Sequence, residues 1–519
     1  MINKKNWIFI AMFAILICQI ICQFFWITNF ASDYHYEETK VLNRVYNLLT
    51  IHQPLKNINS NKVITLDKYR PNFEDFINVI YRSQPALPLI YYYIYKIFPN
   101  KNSFRIVPII FSIIASFLVY KLTLQLFSKQ SAVLAIFLSF TSPYMIFSAR
   151  SIREPIFTIT FFLFSLHFYF KSVNFIKLKP TIFFVFFSIL SILTKYTQVL
   201  FIFSIFFIEL CLIIFDKKNK IKLKYFKKRI TNFFLSFFLI FIATFPMYYL
   251  SEATHYVFVK NQTFIFNQFS INNYILCSIF SYPILFLKES LGVLLFSLFF
   301  ISFMYFSILI LNRKINRNVF TLFLIFILNY IVLSFIPIKD NYVISNLIIL
   351  ILIFISGFIV KLKNKMKLIM LFCIIINGVI YLTPFETGNI TNFSTNLSCF
   401  GNNIYPFSSK FKVYNRDFSS EIPKIIGYKS YESEIGILTH NLVNFSNKHY
   451  LKIIDLSTLN SNGIPFYMYT LNPNITVDYL FCRDIIKQYN SLNLHSTENV
   501  FLISEQNFSQ NHPFYGGYE

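Results

Sequence analysis

Residues 104–163 read "FRIVPIIFSIIASFLVYKLTLQLFSKQSAVLAIFLSFTSPYMIFSARSIREPIFTITFFL". Three apolar runs stand here, parted by two polar gaps, "SKQ" at 128–130 and "SARSIREP" at 148–155. Runs of this kind match the roughly 20 residues that carry a helix across a bilayer. The pattern repeats along the chain. Helices are expected near 7–30, 104–127, 131–147, 155–170, 181–194, 197–215, 231–250, 291–311, 319–336, 343–360 and 367–383. This makes a polytopic α-helical membrane protein with about eleven transmembrane helices. Composition agrees: the 519 residues are 55% hydrophobic, include 68 Phe, and have a mean hydropathy of +0.54. Soluble domains of this length are far more polar.

The first run follows "MINKKN". It is too long for a secretory signal and lacks a small-residue cleavage site, so a retained helix is expected. The piece "ALPLIYYYIYKIF" at 86–98 is short for a span and reads as interfacial or re-entrant. Residues 1–383 thus form a membrane domain, with 31–103 as its first long loop. Residues 384–519 are a polar tail in which pieces such as "KIIGYKS" and "EIGILTH" alternate with turns. A small α/β or β-rich domain is expected there. Cys18, Cys22, Cys211 and Cys373 lie in apolar runs; Cys399 and Cys482 lie in the tail and could pair in an oxidising compartment.

The formal net charge of +24 is informative through its placement. "SKQ", "KSVNFIKLKP", "DKKNKIKLKYFKKRI", "NRKINRN" and "KLKNKMK" fall on alternate sides of successive runs and hold most of the membrane region's Lys and Arg. Basic loops orient a membrane protein with those loops in the cytoplasm. They are read as topology and not as a nucleic-acid surface. The N-terminus is then cytoplasmic and the tail extracytoplasmic, in a bacterial inner or plasma membrane.

Some charges stand on the wrong side for this rule. Arg150, Arg153 and Glu154 crowd one outer turn, and Lys195 in "SILTKYTQVL" occupies another. Lys339, Asp340 and Tyr342 share a third, "SFIPIKDNYVIS". Two readings fit the cations: snorkelling to lipid headgroups, or an anion site at the outer rim, for which a lipid-linked phosphate has the right charge and depth. The first loop begins "FASDYHYEETK", with Asp33 beside the membrane edge and Glu37 and Glu38 a turn later. These acids fit either the start of a helix or a general base acting on an acceptor. Glu154 before Pro155 likewise suits a helix start.

The order of these pieces resembles the GT-C superfamily of membrane glycosyltransferases, in the branch of protein O-mannosyltransferases and lipid A aminoarabinose transferases. An acid after the first helix is followed by "QPALPLIYYYIYKIF", the quoted stretch, "LTKYT" and "IPIKDNYVIS", over roughly residues 5–360. The resemblance implies transfer of a sugar from a polyprenyl-phosphate donor at the outer membrane face. It gives Asp33 the role of catalytic base, makes Glu154 the second acid, and sets Arg150, Arg153, Lys195, Lys339 and Tyr342 near the donor phosphate. Glu37, Glu38 and Gln84 are acceptor or loop candidates. Many relatives carry His where Gln84 stands, adjacent acids in the first loop, and Arg where Asn341 stands. No metal is required by this reading, although some relatives in the wider superfamily use a divalent ion. The partners implied are the lipid-linked donor, membrane lipids, and a glycan, lipid or protein acceptor.

Three other classes compete with this reading. A polymerase or ligase of polyprenyl-linked glycans would place its large outer loop later in the chain. A lipid or glycan transporter would need broken helices or charges near mid-membrane, whereas the charges here are expected at helix ends. An inactive scaffold differs from the transferase only in activity. A reporter fused after residue 383 is expected to read as extracytoplasmic; a cytoplasmic signal would break the helix count.

Overall fold

The computed structural model describes residues 85–99, 103–217, 223–250, 291–334 and 344–382, three strands, and single positions within 13–21, 41–49 and 282–290. The chain divides into two compact units, Met1–Asn29 with Pro108–Lys424 and Phe30–Val107 with Ile425–Glu519.

Twelve helices are described. In chain order they are α1 Ala86–Ile97, α2 Ser103–Leu126, α3 Lys129–Thr141, α4 Pro143–Arg150, α5 Pro155–Lys171 and α6 Leu178–Thr194. Then follow α7 Gln198–Lys217, α8 Leu223–Leu250, α9 Gly292–Leu311, α10 Arg317–Ser334, α11 Ser345–Ile359 and α12 Asn364–Leu382. Each expected segment from 104 to 383 is therefore helical, and 7–30 is described only at single helical positions from Phe13 to Ile21. Among the described residues, four helices are long and apolar enough to cross a membrane alone, and the bent pair α3–α4 makes a fifth. Helices α5, α6 and α11 are apolar but shorter.

The protein is an integral, multi-pass membrane protein, and its surface shows why. Phe234, Leu235, Phe238, Leu239, Phe241 and Ile242 of α8 are all exposed. An apolar face this continuous is stable only against lipid or a partner.

The expected single helix at 131–147 is instead two, α3 and α4, bent by 65°. The residue before a proline is pushed out of the helical region. Ser142 accordingly sits at φ −74, ψ 126 with Pro143 opening α4. Its hydroxyl donates to the Ser290 carbonyl at 3.4 Å.

Helix α11 is the centre of the first unit. Its sequence, SNLIILILIFISGFI, is apolar almost all round, and all fifteen residues are buried. A helix without a polar face has no solvent side, and α11 packs against α3, α5, α9 and α10. Aromatic rings fill the gaps: Phe354 lies 5.3 Å from Phe306 and 5.9 Å from Phe323. Gly357 lets the Phe127 ring approach so closely that a Cβ would stand 2.8 Å from it.

At the end of the unit carrying the basic loops, α5, α6, α7 and α8 close around a buried carboxylate. Glu209 of α7 is 0% exposed. It accepts from Arg229 Nε at 2.6 Å, Tyr169 Oη at 2.7 Å and Asn174 Nδ2 at 2.8 Å. The turn that delivers Asn174 is strained: Val173, Asn174 and Phe175 hold φ of 53, 58 and 66. Non-glycine residues pay about 1–2 kcal/mol each for that region. The Ser172 hydroxyl accepting from Phe175 N–H at 2.8 Å and Asn232 donating to the Phe175 carbonyl at 2.7 Å hold it closed. Glu209 also departs from the expectation that charges sit at helix ends: it lies inside α7, matched by Arg229 from the neighbouring helix.

The second unit holds α1, with Leu87, Tyr91 and Tyr95 buried and Tyr93 and Ile97 exposed. Phe104 lies between Tyr91, edge-on at 5.2 Å, and Tyr95, stacked at 5.8 Å. Its strands β1 Tyr450–Asp455, β2 Thr476–Phe481 and β3 Val500–Ile503 form a parallel sheet in the order β2-β1-β3. The pieces "KIIGYKS" and "EIGILTH", and Cys399 and Cys482, lie outside the described residues.

Removing one partner of a buried ion pair leaves the other charge uncompensated, at a cost of about 3–5 kcal/mol. Arg229→Met is therefore expected to lower the thermal midpoint in detergent sharply, and Glu209→Gln in the same background to restore part of it. A midpoint unchanged in Arg229→Met would show that the pair contributes nothing to stability.

Candidate functional site

The opposite end of the first unit carries the turns singled out in the sequence. Arg150 is the last residue of α4, Arg153 and Glu154 lie just before α5, and Lys195 is the residue after α6. Arg150 is 8% exposed, Arg153 9% and Lys195 5%. A cation snorkelling to lipid would show its head at the protein's surface. Residues this enclosed leave little of the side chain for lipid, which counts against the snorkelling reading. Glu154 pairs with Arg153 Nε at 3.6 Å and its side chain is 14% exposed. It also precedes Pro155 at the first position of α5, as the helix-start reading expects.

Side-chain bonds draw these helix ends together. Thr158, one turn into α5, donates to the Pro155 carbonyl at 2.8 Å and meets the Ser345 hydroxyl at 3.3 Å, across 187 residues of chain. The next residue, Asn346, donates through Nδ2 to Gln198 Oε1 at the first position of α7. Ser191 of α6 donates to the same oxygen at 3.4 Å. The Gln198 N–H in turn donates to the Lys195 carbonyl at 2.9 Å, closing the turn. Thus the starts of α5, α7 and α11 and the end of α6 meet in one linked cluster.

Three helix N-termini, each with roughly half a positive charge on its unsatisfied N–H groups, lie at the same end as the C-termini of α4 and α6, whose dipoles have the opposite sign. No side chain caps α5 or α11. The described turns add three cations and one carboxylate. Buried charge interacts far more strongly than charge in water. A helix start beside Lys and Arg is suited to a phosphate.

Of the residues expected from sequence, the structure gathers Arg150, Arg153, Glu154 and Lys195 at one end of the helices. Asp33, Glu37, Glu38, Gln84, Lys339 and Tyr342 lie outside the described residues. Among the described residues no group of three or more His, Cys, Asp or Glu is placed to hold a metal. Sequence reading missed Thr158, Ser191, Gln198, Ser345 and Asn346. The available signal was weak but present: Gln198 follows Lys195 by one turn, and Asn346 opens an otherwise apolar helix.

The sequence over residues 83–249 matches the family described as dolichyl-phosphate-mannose-protein mannosyltransferase. No curated protein matches the chain significantly. The fold is similar to that of ArnT from Cupriavidus metallidurans in the apo state, with a TM-score of 0.55 at 10% identity, over 94% of this chain and 95% of that one. The same protein bound to undecaprenyl phosphate gives 0.56 at 10% identity, over 95% and 96%. The chain has the GT-C glycosyltransferase fold. An oligosaccharyltransferase from Archaeoglobus fulgidus is less similar, at 0.48 and 11% identity over 92% of this chain and 65% of that one. Identity to ArnT is low, and the family match covers the middle pieces of the series quoted from the sequence, from "QPALPLIYYYIYKIF" to "LTKYT".

Proposed function

We propose that this GT-C protein transfers a sugar from a polyprenyl-phosphate-linked donor to an acceptor at the extracytoplasmic membrane face. The observation that carries the proposal is the enclosure of Arg150, Arg153 and Lys195 by protein where α5, α7 and α11 begin. The family match and the likeness to ArnT, which has been captured with undecaprenyl phosphate, support the donor class.

Depth supports it as well. Helices α5 and α6 have 17 residues each and α11 has 15. At 1.5 Å per residue these reach about 22–26 Å, short of a hydrocarbon layer of about 30 Å. Their charged ends then sit at or below the headgroup level, where a lipid-borne phosphate lies.

The chemistry follows from charge. The acceptor, a hydroxyl or amine, loses its proton to Asp33, the base in this reading. Its lone pair forms a bond to the sugar C1 as the bond from C1 to the phosphate oxygen breaks. The electron pair leaves with the polyprenyl phosphate, whose added negative charge Arg150, Arg153 and Lys195 stabilise. Attack opposite the leaving group inverts the anomeric centre. Glu154 holds Arg153 in place by their ion pair. Lys339 and Tyr342 are assigned to the same phosphate, and Glu37, Glu38 and Gln84 to the acceptor side.

Two substitutions test this reading. Lys195→Ala is expected to weaken binding of undecaprenyl phosphate on the order of tenfold or more, as losing a charge-assisted contact does. Unchanged binding in a titration of purified protein would remove Lys195 from the phosphate site. Asp33→Asn is expected to abolish transfer without changing donor affinity. Full turnover by that variant would place the base elsewhere.

A further inference from the structure

Beyond the cations, the same cluster contains neutral polar atoms that protein leaves unmet. Gln198 and Asn346 are both 0% exposed and Thr197 is 3% exposed. Among the described residues Gln198 Nε2, Asn346 Oδ1 and Thr197 Oγ1 have no hydrogen-bond partner. The two amides spend one bond on each other, from Asn346 Nδ2 to Gln198 Oε1. That leaves one amide donor and one carbonyl acceptor side by side, with a hydroxyl next in the chain. A buried polar group without a partner costs about 1–3 kcal/mol, and native proteins hold few such groups. Other described side chains also carry unmet atoms, among them Asn329 Oδ1 and Ser188 Oγ; Gln198 and Asn346 differ in that their two amides bond each other beside the turn of Lys195, where a ligand group can meet the atoms left over.

The chemistry of that ligand is set by what the three atoms lack, which is charge. Neutral amides and a hydroxyl add little to phosphate recognition beside Arg and Lys. They do suit adjacent hydroxyls on a ring, each of which both donates and accepts. Their place fits too. Gln198 lies one turn from Lys195 and donates its backbone N–H to the Lys195 carbonyl at 2.9 Å. The sugar of a phosphate-linked donor is one bridging oxygen away from the phosphate. A donor whose phosphate meets Lys195 therefore brings its first ring within reach of this turn.

We propose that Thr197, Gln198 and Asn346 form the element that reads the donor's sugar, and that the sugar is uncharged with adjacent free hydroxyls. This rests on the donor reading above and narrows it. Gln198 and Asn346 also tie α7 to α11, so a purely structural role must be separated from recognition.

The test compares bare undecaprenyl phosphate with undecaprenyl-phosphate-linked glucose, mannose and galactose, titrated on the full-length protein in nanodiscs. Wild type is expected to bind at least one of the glycosylated lipids more tightly than the bare phosphate. The double variant Gln198→Met with Asn346→Leu removes both orphaned atoms at similar volume. It is expected to lose that sugar increment, on the order of tenfold or more, while holding bare undecaprenyl phosphate as wild type does. Thr197→Val, nearly isosteric, is expected to lose part of the increment and keeps the test open if the double variant fails to fold. An equal loss on both ligand types in Thr197→Val and the double variant, or no loss on either, overturns the proposal. So does a wild type that binds none of the three sugars more tightly than the bare lipid. Failure of wild type to bind bare undecaprenyl phosphate would instead sink the donor reading itself.

Discussion

An apolar bundle tolerates a polar group only where something meets it, and that constraint organises the first unit. Helix α11 is buried along its whole length and has almost no polar side chain except at its two ends. Its N-terminal Ser345 and Asn346 meet Thr158 and Gln198. Those contacts fix where α11 begins relative to α5 and α7. The turns that carry Arg150, Arg153 and Lys195 lie at the same end because α5 and α6 pack as a hairpin, α5 beginning where α6 ends.

The two ends of the helices handle buried charge in opposite ways. At the basic-loop end Glu209 is surrounded by Arg229, Tyr169 and Asn174, all within 2.8 Å. Charge there is neutralised internally, and the strained turn at Val173–Phe175 is held for that purpose. A fully matched carboxylate binds nothing further. At the other end the described turns carry three cations and one carboxylate, beside the starts of α5, α7 and α11 and the ends of α4 and α6. The first arrangement reads as stability, and the second is the one on which the proposed donor site rests. The contrast also bears on the transporter class. A charge inside an apolar helix and a broken helix are both present, yet the charge is locked by its partner and the break is explained by Pro143.

Helix breaks and lengths add a geometric consequence. Helices α5, α6 and α11 stop short of a full bilayer span. Arg150, Arg153 and Lys195, in the turns at their ends, are buried. Irregular backbone at membrane depth is tolerated only where protein encloses it. The short helices and the enclosure of their turns therefore belong together: one would be unstable without the other.

The sequence by itself determined the membrane class, the positions of the helices from 104 to 383, and the turns bearing Arg150, Arg153, Glu154 and Lys195. These are local properties: run length, hydropathy and the side on which charges fall are legible one segment at a time. The order of motifs also carried the GT-C likeness that the fold bears out. Asp33, Lys339 and Tyr342 rest on that order alone. Tertiary structure decided what local pattern cannot carry. It showed that the three cations are buried, because burial depends on neighbours distant in sequence. It split the run at 131–147 in two and buried Glu209 inside α7 against a partner twenty residues on. Above all it joined Gln198 to Asn346 across 148 residues. A neutral amide in an apolar run looks the same in sequence whether it meets a partner, a ligand or nothing, and only packing distinguishes the three.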